Sequence, residues 1–277
     1  MKTKRANVAS WLALLLGVLA ATAFAQPPET TSARIARTKT LRIGAVGGAV
    51  PYFSKDIESG RWQGFGPDFA ASLAGKFGAK VEFVETTWGN SVLDLQSHKI
   101  DAMFGLAPTP ARREVIGFSD TLFDNTYTVV CRPGYPQKTW EQLNSPDVKV
   151  AVDVGSSHDQ IATRVIPKSD LSRLENSGAA TMALQSGRAD CQVLVIILAE
   201  TLLAKRPGIG AMFIPTPTQT NPVAIGLPKD ADPAYQKAVN EWVDAVRAKG
   251  EVRNVIVNNM VKLVGVKPDA FPKEVKF

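Results

Sequence analysis

Apolar residues recur along this chain at two spacings, and the switches between them outline its elements. LRIGAVGG (41–48) is a short apolar strand stopped by a glycine turn. After a turn at Glu58-Ser59-Gly60, Pro67 opens a helix that puts Phe69, Leu73 and Phe77 on one face. Lys80–Glu85 alternates as a strand, Asn90 or Ser91 caps the next helix, and Ile100–Phe104 is again an apolar strand. VKVAVDVGSS (148–157) repeats the opening pattern of strand and glycine turn. It leads into a helix after Ser156-Ser157, a helix around Ala179–Gln185 and a strand over Cys191–Ile197. Beyond a loop rich in proline and threonine (215–222) lies the strand Val223–Leu227. Two helices follow, with Val239, Trp242, Val243 and Val246 on one face and Val252, Ile256 and Met260 on the other's; Lys273–Phe277 reads as a loose tail.

The two stretches share more than their order of elements. Leu95-Gln96-Ser97-His98-Lys99-Ile100-Asp101 is echoed by Leu184-Gln185-Ser186-Gly187-Arg188-Ala189-Asp190, and each string sits between a helix and an apolar strand. Strand, turn, helix, strand, helix, strand therefore occurs twice, an order that gives mostly parallel sheets flanked by helices. Such sheets bind ligands at the carboxyl ends of their strands, so two lobes facing each other make a cleft. Chain crossings near Asn125–Thr128 and Thr220–Val223 are expected to form a two-strand hinge. The divisions read as a leader over 1–25, a first lobe over 26–125, a second over 126–222, and a return to the first over 223–277.

The leader changes the meaning of the charge. Lys2, Lys4 and Arg5 precede an apolar run of ten, Trp11 to Ala20, and Ala23-Phe24-Ala25 is a small-x-small cleavage site. That run is too short to span a bilayer as a mature helix, and no cysteine follows it to carry a lipid anchor. Removing the leader takes three basic residues from 32, leaving 29 against 26 acids and a balance of +3 instead of +6. These charges are interspersed, which argues against a nucleic-acid partner. A soluble exported chain of two lobes is expected, in the periplasm. Cys131 and Cys191, both in strand-like stretches, are a disulfide if those strands are neighbours and buried thiols if not. With His98 and His158 they show no metal-ligand spacing, and no cofactor motif is present.

The chemistry-bearing segment is GLAPTPARREVIGFSD (105–120). It follows a strand tip, and Pro108 and Pro110 stiffen the approach to Arg112, whose planar fork of donors matches two carboxylate oxygens. The alternative is a pair of arginines on a solvated first helical turn. His158, beside the Ser156-Ser157 turn, reads as a solvated helix residue, with a base or a ligand contact as the other choices. No G-x-S-x-G elbow occurs.

In order along the chain, LRIGAV, GFGPDFAASLAGKFG, VEFVETTW, LQSHKIDAMFGL, TPARREVIGFSD, VAVDVGSS, LQSGRAD and AIGLPKDAD resemble the amino-acid-type extracellular solute-binding proteins, family three, over about residues 38–265. The resemblance implies a two-lobed periplasmic-binding-protein fold of type II. It implies a receptor that closes on a small carboxylate and delivers it to a membrane ABC permease, working as a monomer without catalysis. By position, Arg112 matches the arginine that grips the ligand carboxylate, and Gly105 a carbonyl that accepts from the ligand amine. Ala107 falls where a hydroxyl usually helps that amine. Ser156 and Ser157 match the helix start whose amides meet the carboxylate, a role that suits a helix N-terminus. Trp88 matches an aromatic that covers the ligand, its alternative being a core tryptophan.

Two parts of the site depart from the pattern. Val195 stands where an aspartate usually pairs with the ligand ammonium, and Val46 and Ala49 replace an aspartate and an aromatic in the first loop. A buried ammonium without a counter-charge is unfavourable. Either Asp153, Asp190, Glu200 or another acid substitutes, or the ligand is not an ordinary α-amino acid. Asp190 reads as structural, because Asp101 occupies the same place in the repeat. A few relatives resemble cyclohexadienyl dehydratases, which makes an enzyme on this scaffold the second reading. The apolar stretch around Val195 offers no general acid at the usual place.

Overall fold

A computed structural model describes residues 29–230 and 233–266. The leader and the tail read from the sequence lie outside the described residues. The elements run α1 (Thr31–Thr38), β1 (Thr40–Val46), β2 (Ser54–Lys55), β3 (Trp62–Gln63), α2 (Phe65–Lys76), β4 (Lys80–Thr86), α3 (Asn90–Gln96), β5 (Met103–Leu106), α4 (Pro110–Val115), β6 (Gly117–Phe118) and β7 (Phe123–Cys131). They continue with α5 (Trp140–Leu143), β8 (Lys149–Asp153), α6 (Ser157–Val165), β9 (Asp170–Leu174), α7 (Ser177–Gln185), β10 (Cys191–Val195), α8 (Ile196–Lys205), β11 (Ala211–Phe213), β12 (Thr220–Leu227), α9 (Ala234–Ala248) and α10 (Glu251–Val264).

Parallel pairs form the core of each half, and an eight-stranded sheet runs through both. In the first half β1 lies parallel to β4, and a bridge from Ile43 to Ala102 ties β1 to the start of β5. In the second half β10, β8 and β9 are parallel neighbours. The two strands that run between the halves pair antiparallel with their neighbours, as do the short β2–β3, β6–β12 and β11–β7 pairs. β12 pairs with β5 in the first half, β7 pairs with β10 in the second, and β7 and β12 pair with each other from Thr126–Thr220 to Phe123–Val223. They include the stretches read from the sequence as crossings, near Asn125–Thr128 and Thr220–Val223.

The repeated string has a common structural task. Asp101 accepts from the Arg42 amide through Oδ2 at 2.6 Å, and its own amide donates to the Arg42 carbonyl at 2.8 Å. Asp190 does the same with Lys149, at 3.0 and 2.8 Å. Each aspartate pins a returning chain to the first residues of its sheet's opening strand. Asp101 is buried and also holds Arg34 and Arg42. Asp190 is partly exposed and holds Arg132, itself half exposed, at 2.8 Å. Solvent screens the second pair, so Asp190→Asn is expected to destabilise by only about 1 kcal/mol, measured by urea unfolding.

Several expectations need correction. Neither Asn90 nor Ser91 caps α3: Gly89 stands at its cap without a side-chain bond, and Asn90 is the helix's first residue. The strand predicted over Cys191–Ile197 stops at Val195, and α8 begins at once with Ile196. The continuous apolar run hid the boundary, because both elements are buried there and neither shows a periodicity. The helix read as opening at Pro67 starts at Phe65, after Gly64 with φ of +126°, and ends at Lys76, so Phe77 is its cap. The loop read over 215–222 gives way to β12 already at Thr220. The last helices bury the faces expected of them. Cys131 and Cys191 stand directly opposite each other on β7 and β10 and form a disulfide.

Candidate ligand site between the two halves

Arg112 lies on the short helix α4, which Pro110 starts after the extended residue Thr109. Its side chain is turned inward, and the residue is 4 % exposed. Nη1 donates to the Ala107 carbonyl at 3.2 Å, while Nη2 donates to the carbonyls of Trp88 at 3.4 Å and Gly155 at 3.1 Å. Gly155 belongs to the turn between β8 and α6, so the last bond crosses from one half to the other. Nε has no partner, and among the described residues no carboxylate is within ion-pair distance of the guanidinium. Burial pushes its pKa down to about 10, against an opposing pull from Tyr127 and Asp153. The group is still a full cation near neutral pH. The solvated-helix alternative for Arg112 is therefore excluded.

Arg112 borders a cavity of about 20 Å³, lined also by Trp88, Gly105, Ser156, Ser157 and Val195. Six of the seven residues carried over by resemblance thus meet at one place. Ala107 does not reach the wall; it is buried and contributes only its carbonyl to Arg112. A second cavity, of about 590 Å³, shares Trp88 and Leu198 with the first and extends between the loop 46–50 on one side and Asn176, Ser177 and Gln192 on the other. The small space suits one polar head group, and the larger one has room for the rest of a ligand.

Close approach of backbone depends on three glycines. A Cβ on Gly89 would stand 2.9 Å from the Val154 carbonyl, and one on Gly155 would stand 3.3 Å from the Gly89 Cα, so the two halves touch backbone to backbone beside Arg112. Gly105 has φ of +92°, and a Cβ there would meet the Tyr52 ring at 2.9 Å and the Trp88 ring at 3.1 Å. Gly105→Ala is expected to weaken ligand binding by about tenfold or more, and to lower stability by about 1–2 kcal/mol, since both the backbone and the rings must shift. Titration calorimetry and thermal melting check the two effects separately.

On the second half, Ser156 caps α6 and is fully engaged. Its Oγ accepts from the amides of His158 and Asp159 and donates to Asp153 at 2.9 Å. His158 is buried, correcting the expectation of a solvated residue. Its Nε2 accepts from the Val195 amide at 3.2 Å, which puts the ring hydrogen on Nδ1, directed at Asp153 Oδ1 2.8 Å away. The network joins the start of α6 to the junction of β10 and α8. Burial pushes the Asp153 carboxyl up, but the His158 ring and the Ser156 hydroxyl outweigh this and hold it below the usual carboxylate range. With both nitrogens committed, the imidazole is a brace rather than a base.

Sequence reasoning passed over Tyr52, Asn125 and Leu198, which also line the small cavity. Tyr52 packs edge-on to Trp88, centroids 5.5 Å apart, and supplies an aromatic where Ala49 does not. Its hydroxyl accepts from Asn125 Nδ2 at 2.7 Å, and burial raises its pKa above the ordinary tyrosine value. Asn125 sits among Asp124, Thr126 and Thr128 on β7, so no local pattern singled it out.

The sequence model for bacterial extracellular solute-binding proteins, family 3, matches residues 41–258. The chain belongs to that family. It is 27 % identical over 244 residues to the cyclohexadienyl dehydratase of Pseudomonas aeruginosa, covering 87 % of this chain and 90 % of that protein. It is 24 % identical over 262 residues to a probable histidine-binding protein of Neisseria gonorrhoeae, covering 92 % and 97 %. Among solved structures it is similar to an ancestral amino acid-binding protein described as a precursor of cyclohexadienyl dehydratase, with TM-score 0.73 and 32 % identity over 82 % of this chain and 97 % of that one. The receptor for L-cysteine of Neisseria gonorrhoeae superposes with TM-score 0.76 at 25 % identity, over 87 % and 98 %. The fold of this family 3 member is the type II architecture of periplasmic amino-acid-binding proteins. No helix among its described residues is long and apolar enough to cross a membrane.

Proposed function

We propose that this family 3 protein is a periplasmic receptor that captures a small carboxylate between its halves and presents it to a membrane ABC permease, acting as a monomer. The carrying observation is a buried guanidinium, open at Nε, that borders an interlobe cavity and, among the described residues, has no acidic partner within ion-pair distance. A buried cation in that position is matched by an anion with two acceptor oxygens. The ligand carboxylate meets Arg112 in the small cavity, its body extends past Trp88 and Leu198 into the larger one, and the crossing strands β7 and β12 serve as the hinge.

A thermal-shift screen of small carboxylates tests this. A ligand at a hundred times its Kd stabilises the folded protein by about 2.7 kcal/mol, a readily measured rise in Tm. If no carboxylate shifts the melt, the receptor reading fails. The dehydratase among the relatives supports a second reading, in which the cleft eliminates water and carbon dioxide together from a cyclohexadienyl acid, the departing carboxylate supplying the electron pair that leaves with the protonated hydroxyl. General acid catalysis needs a proton donor at the reacting group. Among the described residues the acids Asp153 and Glu85 border only the larger cavity, and the imidazole of the small one is committed at both nitrogens. Incubation with prephenate or arogenate is expected to give no product absorbance, and turnover would favour the enzyme.

A further inference from the structure

The small cavity has a cation in its wall but, among the described residues that line it, no anion. A zwitterion placed there would find a partner for its carboxylate and none for its ammonium, which would also face the Arg112 guanidinium. The nearest acid in that region, Asp153, is 4 % exposed and borders the larger cavity instead. Its Oδ1 already takes the Ser156 hydroxyl and His158 Nδ1. Glu85, also on the larger cavity, is exposed and pairs with Lys55 at 3.3 Å.

Three buried polar atoms on residues of the small cavity lack a protein partner: Arg112 Nε, Trp88 Nε1 and Asn125 Oδ1. The first two are donors and the third is a neutral acceptor. Asn125 is 5 % exposed, and its Nδ2 is spent on Tyr52 Oη, which leaves Oδ1 to be satisfied from elsewhere. A buried acceptor without a donor is unfavourable, so the complementary ligand supplies one. Because Arg112 and Asn125 border the same space of about 20 Å³, the ligand's carboxylate and its donor group must be close neighbours in the molecule.

We propose that the site selects 2-hydroxy acids over the matching 2-amino acids, with Asn125 as the residue that reads the hydroxyl. This rests on the reading that Arg112 holds the carboxylate. The two open N–H groups suit the anion, and the amide oxygen of Asn125 suits an uncharged O–H. A site built to hydrogen-bond a hydroxyl discriminates strongly against a group that changes its charge.

Titration calorimetry near neutral pH with matched pairs tests the proposal: lactate and alanine, 2-hydroxyisocaproate and leucine, 3-phenyllactate and phenylalanine, malate and aspartate. In the wild-type protein the hydroxy acid of the best-binding pair is expected to bind at least about tenfold tighter than its amino partner. Asn125→Ala is expected to lose about tenfold in affinity for that hydroxy acid, and Asn125→Asp to shift the preference toward the amino acid. The wild-type comparison needs no variant to fold. Equal or tighter binding of the amino acid, abolished by Arg112→Met, overturns this proposal and leaves the carboxylate reading standing. Binding of neither series, or binding untouched by Arg112→Met, removes the carboxylate reading and this proposal with it.

Discussion

Replacing Arg112 with methionine is expected to weaken ligand binding by at least a hundredfold while leaving the empty protein as stable as before, or more so. The two effects have opposite signs because one group serves two states. With a carboxylate bound, the guanidinium is half of a buried ion pair. Removing one half of such a pair costs about 3–5 kcal/mol, or roughly two to three and a half decades in Kd. Without ligand it is a buried cation whose hydrogen bonds, among the described residues, go to the carbonyls of Trp88, Ala107 and Gly155. An apolar side chain of similar length fills the same space with no charge to desolvate. Calorimetric titration and scanning calorimetry on one preparation measure both numbers. Arg112→Lys keeps the charge but loses the planar fork, so it is expected to fall between wild type and Arg112→Met. Wild-type affinity in the methionine variant would remove Arg112 from the binding reaction.

The second large effect concerns the Cys131–Cys191 bridge. It joins residues 60 apart in the chain and closes a loop that contains β8, α6, β9 and α7, most of the second half. A cross-link over that length restricts the unfolded chain enough to be worth about 4 kcal/mol in the loop-entropy account. The double variant Cys131→Ser, Cys191→Ser is expected to lose that amount in urea unfolding and roughly 8–16 °C in Tm. Both sulfurs are buried, so the exchanged hydroxyls add a desolvation penalty in the same direction. Hydrogen exchange is expected to accelerate in β8, β9 and β10 and to change little in β1 and β4. A uniform acceleration over both halves would mean that they unfold as one unit.

The repeat was legible in the sequence because it is local. LQSHKID and LQSGRAD each place an aspartate one strand away from the amide it must reach, and the structure uses both in the same way. Arg112 stood out through its neighbours Pro108 and Pro110. His158 was misjudged because its partners, Asp153 and the Val195 amide, come together only when α6 packs against β10. Tyr52 and Asn125 are 73 residues apart, and nothing in either neighbourhood announces their hydrogen bond. The end of β10 was invisible for a different reason: where strand and helix are both enclosed, the period that separates them is lost.

The bond from Arg112 to the Gly155 carbonyl exists only while the two halves meet, so in the proposed hinge motion it would break first. Separation would return the guanidinium to water, whose hydration exceeds what a single neutral carbonyl offers it. An anion in its grip reverses that balance, because parting would then expose and screen an attraction that a dry interior strengthens. The sign of the cargo's charge, more than its shape, would thus decide whether the jaws rest apart or together.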